Sequence, residues 1–168
     1  NISARDNLAL NLAAIRGDRE LFELLMEHQE TFAHIADNDN QILRSVCNHS
    51  GLVSAINARM HRATIVEKLL SFPAVAENAH ANNNEALRNA VYHNLTDVAE
   101  KLLTNPGVLS HADALDNDAL NHALRNCNMK LVEVLIKNES VKQAALCNNH
   151  AMEIANKYGF GNEVMRIL

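Results

Sequence analysis

Apolar residues recur along this chain at two spacings at once. Locally they fall three and four residues apart, the mark of helices with one buried face. Over a longer range a six-residue block returns. Ile65-Val66-Glu67-Lys68-Leu69-Leu70 reappears 33 residues later as Val98-Ala99-Glu100-Lys101-Leu102-Leu103, and again as Leu131-Val132-Glu133-Val134-Leu135-Ile136. An earlier copy, Leu21-Phe22-Glu23-Leu24-Leu25-Met26, lies 44 residues before the first of these, 11 more than one period. A fixed period of this size predicts stacked supersecondary units, each unable to bury its apolar face alone.

The unit divides into two helices. In the best-formed copy Asn82-Asn83-Asn84 reads as a polar loop with N-cap residues. Glu85 to Tyr92 then carries Leu87, Ala90 and Val91 at helical spacing. His93-Asn94 ends that helix, since Asn tolerates a left-handed cap. Thr96 to Leu103 forms the second helix, and Asn105-Pro106-Gly107 stops it. The next copy matches position by position, with Leu120, Ala123 and Leu124 for Leu87, Ala90 and Val91. Val75, Val108 and Val141 also repeat at 33, so the connecting segment belongs to the unit. Asn40 to Cys47 and Ser50 to Met60 both read as helical, which predicts that the 11 extra residues lengthen the inner helix of the second unit or add a helix before it. Met152 and Ala155 match the inner helix of a last unit whose outer helix contains Val164. The units are expected at about 7–36, 37–75 with the insertion, 82–108, 115–141 and, in part, 149–168, all in one domain.

Leu8-Ala9-Leu10-Asn11-Leu12-Ala13-Ala14-Ile15-Arg16-Gly17-Asp18-Arg19-Glu20-Leu21-Phe22-Glu23-Leu24-Leu25 resembles the ankyrin-repeat pattern TPLHLAAxxGxxExVxxLL, and the period of 33 is that family's. The resemblance implies an all-α solenoid of helix-turn-helix repeats, about four to five of them. The chain departs from the family where Glu85-Ala86 and Asp118-Ala119 replace its Thr-Pro pair. Pro73-Ala74-Val75 and Pro106-Gly107-Val108 likewise replace its hairpin segment, so β-hairpin fingers are expected to be short or absent. The resemblance further implies a concave face that binds a partner protein. Carried over, that face holds Ile15, Arg16, Tyr92, His93, Arg125 and Asn126, with loop positions Asn82, Asn84 and Asn117. Asn57 and Ala58 are the nearest equivalents in the irregular second unit. Asn-rich arrays of this kind also resemble those of effector proteins that intracellular bacterial pathogens inject into host cells, which implies a partner in host cytoplasm.

Composition narrows the picture. Of the residues 48% are hydrophobic but only 4% aromatic, so aliphatic and small side chains must do the packing. The net charge of -5 and the lack of any basic run disfavour nucleic acid as a ligand. No apolar stretch reaches membrane-spanning length. Cys47, Cys127 and Cys147 are sparse and far apart, as in a reducing, cytoplasmic compartment. A start at Asn1 without Met and an end on an apolar helical pattern lead us to expect a piece of a longer protein.

Candidate chemistry adds little. The nine histidines show neither HExxH nor a zinc spacing, so no metal and no cofactor are expected. Cys47 and His49, two residues apart, do not face each other on a helix. Cys127 stands at a tight turn, where Gly17 and Asn94 stand in other units. Asp116 and Asp118 read as helix caps. Glu23, Glu67, Glu100 and Glu133 are expected to be solvated and paired with neighbouring cations. The reading is therefore a protein-interaction module, not an enzyme. The alternative is a substrate-recruiting or regulatory arm of a larger enzyme whose catalytic domain lies outside this sequence.

Overall fold

The computed structural model describes residues 2–27, 34–48 and 56–168, and the side chains within 8–27, 34–48 and 61–168. Regular structure among the described residues is entirely helical. In chain order the helices are α1 (Ile2–Arg16), α2 (Arg19–Leu25), α3 (Asp37–Cys47), α4 (Ile56–Leu70), α5 (Pro73–Glu77), α6 (Ala81–Tyr92), α7 (Thr96–Leu103), α8 (Pro106–Ser110), α9 (Ala114–Arg125), α10 (Met129–Ile136), α11 (Glu139–Cys147), α12 (His150–Lys157) and α13 (Gly161–Ile167). None of them is long and apolar enough to cross a membrane.

The helices pack in rows, as the 33-residue period requires. An inner row runs α1, α3, α6, α9, α12, each helix against the next. An outer row runs α2, α4, α7, α10. Leu10, Leu43, Leu87 and Leu120 hold one place in the inner row and are fully buried, as are Leu69, Leu102 and Leu135 in the outer row. Alanine lets the inner helices approach closely: Ala13, Ala90, Ala123 and Ala155 have at most 1% of their surface exposed. Each inner helix that can be followed to its end stops in the same way. Gly17, Asn94, Cys127 and Gly159 take positive φ, and the residue after each donates its amide back five residues, as Asn128 does to Ala123. This left-handed closure satisfies the last helical carbonyls. It confirms the turn expected at Asn94 and explains the small residue at position 127.

The segment between units is a third helix. α5 and α8 open with proline at their first turn, where its missing N–H leaves nothing unpaired. The three short helices place Val75, Val108 and Val141 at the same fully buried station. The segment where hairpin fingers were expected to be short or absent is thus helical, and no strand forms among the described residues. Nor is it the inner helix that the insertion lengthens. The inner helix α3 runs no further than Cys47, while the outer helix α4 begins early, at Ile56, and runs to Leu70. Of the helix expected over Ser50 to Met60, residues 50–55 lie outside the described residues, and the remainder is the start of α4.

The polar loops before the inner helices hold the main departure from expectation. Asn38-Asp39-Asn40, Asn82-Asn83-Asn84 and Leu115-Asp116-Asn117 each have three successive residues in the left-handed region, with φ between 52° and 62°. That conformation costs an ordinary L-residue roughly 1–2 kcal/mol, and Asn and Asp tolerate it best. Six of these nine residues are Asn and two are Asp. The turn drives its third residue inward. Asn40, Asn84 and Asn117 are each 1% exposed. Their Nδ2 groups donate to the carbonyls of Val75 at 2.7 Å, Val108 at 2.8 Å and Val141 at 2.8 Å, each in the short helix that follows. Asn84 also reaches the carbonyl of His111 at 3.0 Å. Asn84 was expected in a loop of N-cap residues; it and its equivalents instead tie each inner helix to the short helix closing its unit.

The residue one helical turn later completes the device. Arg44 donates to the carbonyls of Asn38 and Asp39, Arg88 to those of Asn82 and Asn83, and Asn121 to that of Asp116. Each arginine also reaches forward to a carboxylate on the next inner helix. Arg44 pairs with Glu85, and Arg88 with Asp118 at 3.1 Å. Asp118 therefore serves the neighbouring unit and is not a cap; Asp116 lies within the left-handed turn. On the outer row Glu23 pairs with Arg19, Glu67 with Lys101 and Glu100 with Lys130.

Two substitutions separate these effects. Asn84→Ala loses both the left-handed preference and the buried bonds, whereas the exposed Asn83→Ala loses only the former. Equilibrium unfolding is expected to show Asn84→Ala the more destabilising by about 1–3 kcal/mol, the cost of leaving buried carbonyls unpaired. Leu115, 55% exposed at φ 54°, is the one branched apolar residue in a left-handed turn. Leu115→Asn is expected to stabilise by about 0.5–1 kcal/mol, read as a rise in the unfolding midpoint.

Candidate functional site

The sequence-derived site residues do not form one surface. Asn84 and Asn117 are buried and their amide donors are used inside the protein, which corrects their placement on an exposed loop. Asn82 is exposed at the start of α6, the opposite end from Tyr92, and its carbonyl accepts from Arg88. Ile15 is half-buried with its carbonyl bound by Arg62 at 3.0 Å, and Arg16 is exposed beside it. Both sit on α1, with α3 standing between them and α6 in the row. Asn57 and Ala58 have side chains outside the described residues.

Tyr92, His93, Arg125 and Asn126 do come together, at the C-terminal ends of α6 and α9. The 33-residue period puts Arg125 in the place of Tyr92 and Asn126 in the place of His93 on adjacent helices. Asn126 fastens the two ends: its Nδ2 donates to the carbonyl of Val91 at 2.7 Å and of Tyr92 at 3.3 Å. Below it Asn128 bridges Asn94 and Thr96, both at 2.7 Å. These bonds make the platform rigid without using the rings that stand on it.

Tyr92 is 57% exposed, yet two imidazoles hold its ring. His93 and His122 each meet it edge to face with centroids 4.9 Å apart, a geometry favoured by the ring quadrupole. His93 Nε2 lies 3.4 Å from Asn48 Oδ1 on the preceding unit. On the other side an Arg125 guanidinium nitrogen lies 3.5 Å from His150 Nε2 on α12. Arg44 and Arg88 are matched by carboxylates, but Arg125 has no carboxylate within 4 Å among the described residues. An exposed aromatic ring and an uncompensated cation therefore stand side by side on a fixed base.

His122 and His150 were not placed in the site from the sequence, where the nine histidines showed no metal spacing. The usable signal was spacing: His122 lies four residues after Asp118 and three before Arg125, so all three share one helical face. His122 Nε2 lies 3.3 Å from Asp118 Oδ1. Burial is the main influence on His122 and pushes its pKa down; Asp118 opposes this, and the charges of Arg125 and Arg88 push it further down. The result is a depressed pKa and a neutral ring. For Glu85, burial favours the neutral acid, but the hydrogen bond and charge of Arg44, with bonds from Asn82 and Asn89, outweigh it and hold the carboxyl below its ordinary value.

Cys47 is fully buried, and burial pushes its thiol far up, opposed only by the charge of Arg62. Cys127 and Cys147 are exposed and free. Among the described residues no three His, Cys, Asp or Glu side chains are placed to hold a metal ion. Comparison with family models, with curated proteins and with solved structures returns no match.

The depressed His122 pKa has a consequence for stability. The unfolded chain takes up a proton here before the folded chain does, so His122's contribution is complete above the ordinary imidazole range. It is lost as pH falls through that range. Between about pH 7 and about pH 5 the unfolding midpoint of the parent chain is expected to fall further than that of His122→Gln, measured in matched denaturant titrations.

Proposed function

We propose that this chain is an ankyrin-like repeat solenoid that binds a partner protein through the ends of α6 and α9, with Tyr92 and Arg125 as the anchors. The inner and outer helix rows at a 33-residue period support the solenoid reading. The short helices α5, α8 and α11 take the place that hairpin fingers occupy in ankyrin repeats, so the kinship is one of period and helix pairing.

One observation carries the binding reading. Tyr92 is a large aromatic left exposed at 57%, while its backbone is pinned by Asn126 and its ring by two imidazoles. The core does not need that ring, since Val91 beside it is fully buried. A preorganised aromatic beside an arginine loses little conformational freedom on binding, and these two residue types dominate interface energetics. Because Arg125 lacks a carboxylate of its own, the partner is expected to bring an acidic side chain to it. Desolvating Arg125 without one would be costly. Ile15, Arg16 and Asn82 lie apart from this patch and are not among its anchors. The resemblance to pathogen effectors makes host-cell cytoplasm the first place to look for the partner.

A partner captured from eukaryotic lysate and then purified allows a direct test. Tyr92→Ala combined with Arg125→Ala is expected to weaken its affinity roughly tenfold or more, with unfolding midpoint and circular dichroism unchanged. An unchanged affinity in the folded double variant overturns the assignment of this surface.

A further inference from the structure

The two ends of the helix rows are finished differently. Within the rows, charged side chains on both helix rows join a unit to the one before it. On the inner helix one is the acid that meets the preceding arginine: Glu85 receives Arg44 and Asp118 receives Arg88. On the outer helix the other is Lys101, which pairs with Glu67. In the first unit the 33- and 44-residue spacings put Leu8 at the acid's place and Leu24 at the lysine's. These leucines are 59% and 57% exposed. Between them Leu12 is 45% exposed, at the place of Asn89 and His122. Leu21 is the sharpest case. Its equivalents Ile65, Val98 and Leu131 are at most 1% exposed, and Leu21 itself is 41% exposed. It is a core position that stands exposed in the first unit.

The other end carries polar side chains at the equivalent inner-helix stations. Gly159 repeats the left-handed turn of Cys127, and Phe160 N reaches Ala155 O as Asn128 N reaches Ala123 O, which fixes the register of the last unit at 32 residues. In that register the fully buried station of Ala14, Cys47, Val91 and Leu124 is occupied by Asn156, and the arginine station of Arg44 and Arg88 by Glu153; both are exposed. Polar outer residues are what a terminal capping unit needs. The first unit has the opposite chemistry.

We propose that the α1–α2 end is an open stacking face that docks a helix pair of the same repeat kind, one helix across Leu8 and Leu12 and the other across Leu21 and Leu24. The occupant follows from continuity with the interface that joins every internal pair of units, because the four leucines sit at stations which that interface uses. Their chemistry constrains it further. An occupant with arginine at the Arg44 station would set that cation over Leu8 with no acid to meet it, and one with glutamate at the Glu67 station would face Leu24 and Glu20. The docking pair therefore carries apolar residues at both forward stations, unlike the internal units. A head-to-tail copy of this chain would present Glu153 and Asn156 to the leucines, which disfavours self-stacking. This proposal is independent of the binding patch at Tyr92.

The test joins residues 84–116 of this protein directly to Asn7, in place of residues 1–6. Asn7 lies 33 residues before Asn40, so the graft keeps the repeat register. One graft keeps Arg88 and Glu100, its forward residues; a second carries Arg88→Leu and Glu100→Leu. The leucine graft is expected to raise the thermal midpoint over the ungrafted chain by about 5 °C or more, and by more than the charged graft. Adding Leu21→Glu and Leu24→Glu to the acceptor face should remove the gain. A gain that survives those two substitutions, no gain from either graft, or equal gains from both overturns the proposal. So does an ungrafted chain that sediments as a dimer and becomes monomeric with Leu21→Glu, which would make a second copy the occupant.

Discussion

The structure depends on one hydrogen bond made three times. A buried asparagine at the base of an inner helix donates its side-chain amide to a carbonyl of the short helix that closes the unit, at Asn40, Asn84 and Asn117. The bond forms only if the chain first makes a left-handed turn of three residues, which swings the third side chain from surface to interior. Neither part stands well alone. A left-handed run is strained, and a buried amide without an acceptor is costly. Together they fix where the inner helix starts and how far away the short helix sits.

The remaining polar architecture protects that turn. Its exposed carbonyls would face water in a bare loop; here Arg44, Arg88 and Asn121 bind them from one helical turn above. The same arginines pair with the next unit, so local turn geometry and stacking between units are coupled through one side chain. Where arginine gives way to Asn121, the acid of the following unit is also gone, His150 standing in its place. The Tyr92–Arg125 platform lies at this change in the pattern: Arg125 sits on the helix whose forward charge has been removed, and it is left with an imidazole as its neighbour.

Much of this was legible in the sequence. The period gave the helix pairs, and the outer helix Thr96–Leu103 was placed to the residue, because aliphatic side chains at helical spacing admit one buried face. Cys127 was read correctly as a turn position from its alignment with Gly17 and Asn94. The left-handed turns were not legible. Asn-Asn-Asn before an apolar helix is the ordinary signature of an N-terminal cap, and nothing local shows that the side chain turns to a carbonyl 24 residues further on. That is why Asn84 and Asn117 were expected at the surface. The insertion was misplaced for a related reason: residues 56–60 have helical spacing, but spacing does not say that they belong to the outer helix α4. At the candidate site, Tyr92 and Arg125 were named from the ankyrin resemblance. His122 and His150 did not stand out among nine histidines until tertiary packing set them against those two residues.

The most direct test of the account is the hydrogen exchange of asparagine side-chain amides by NMR. The Nδ2 protons of Asn40, Asn84 and Asn117 are buried and bonded across the unit, whereas those of Asn83 are exposed on the same turn. Three slowly exchanging side-chain amides at positions 40, 84 and 117, beside a fast one at 83, are the predicted result. Exchange at 84 and 117 as fast as at 83 would contradict the claim that these asparagines hold the units together.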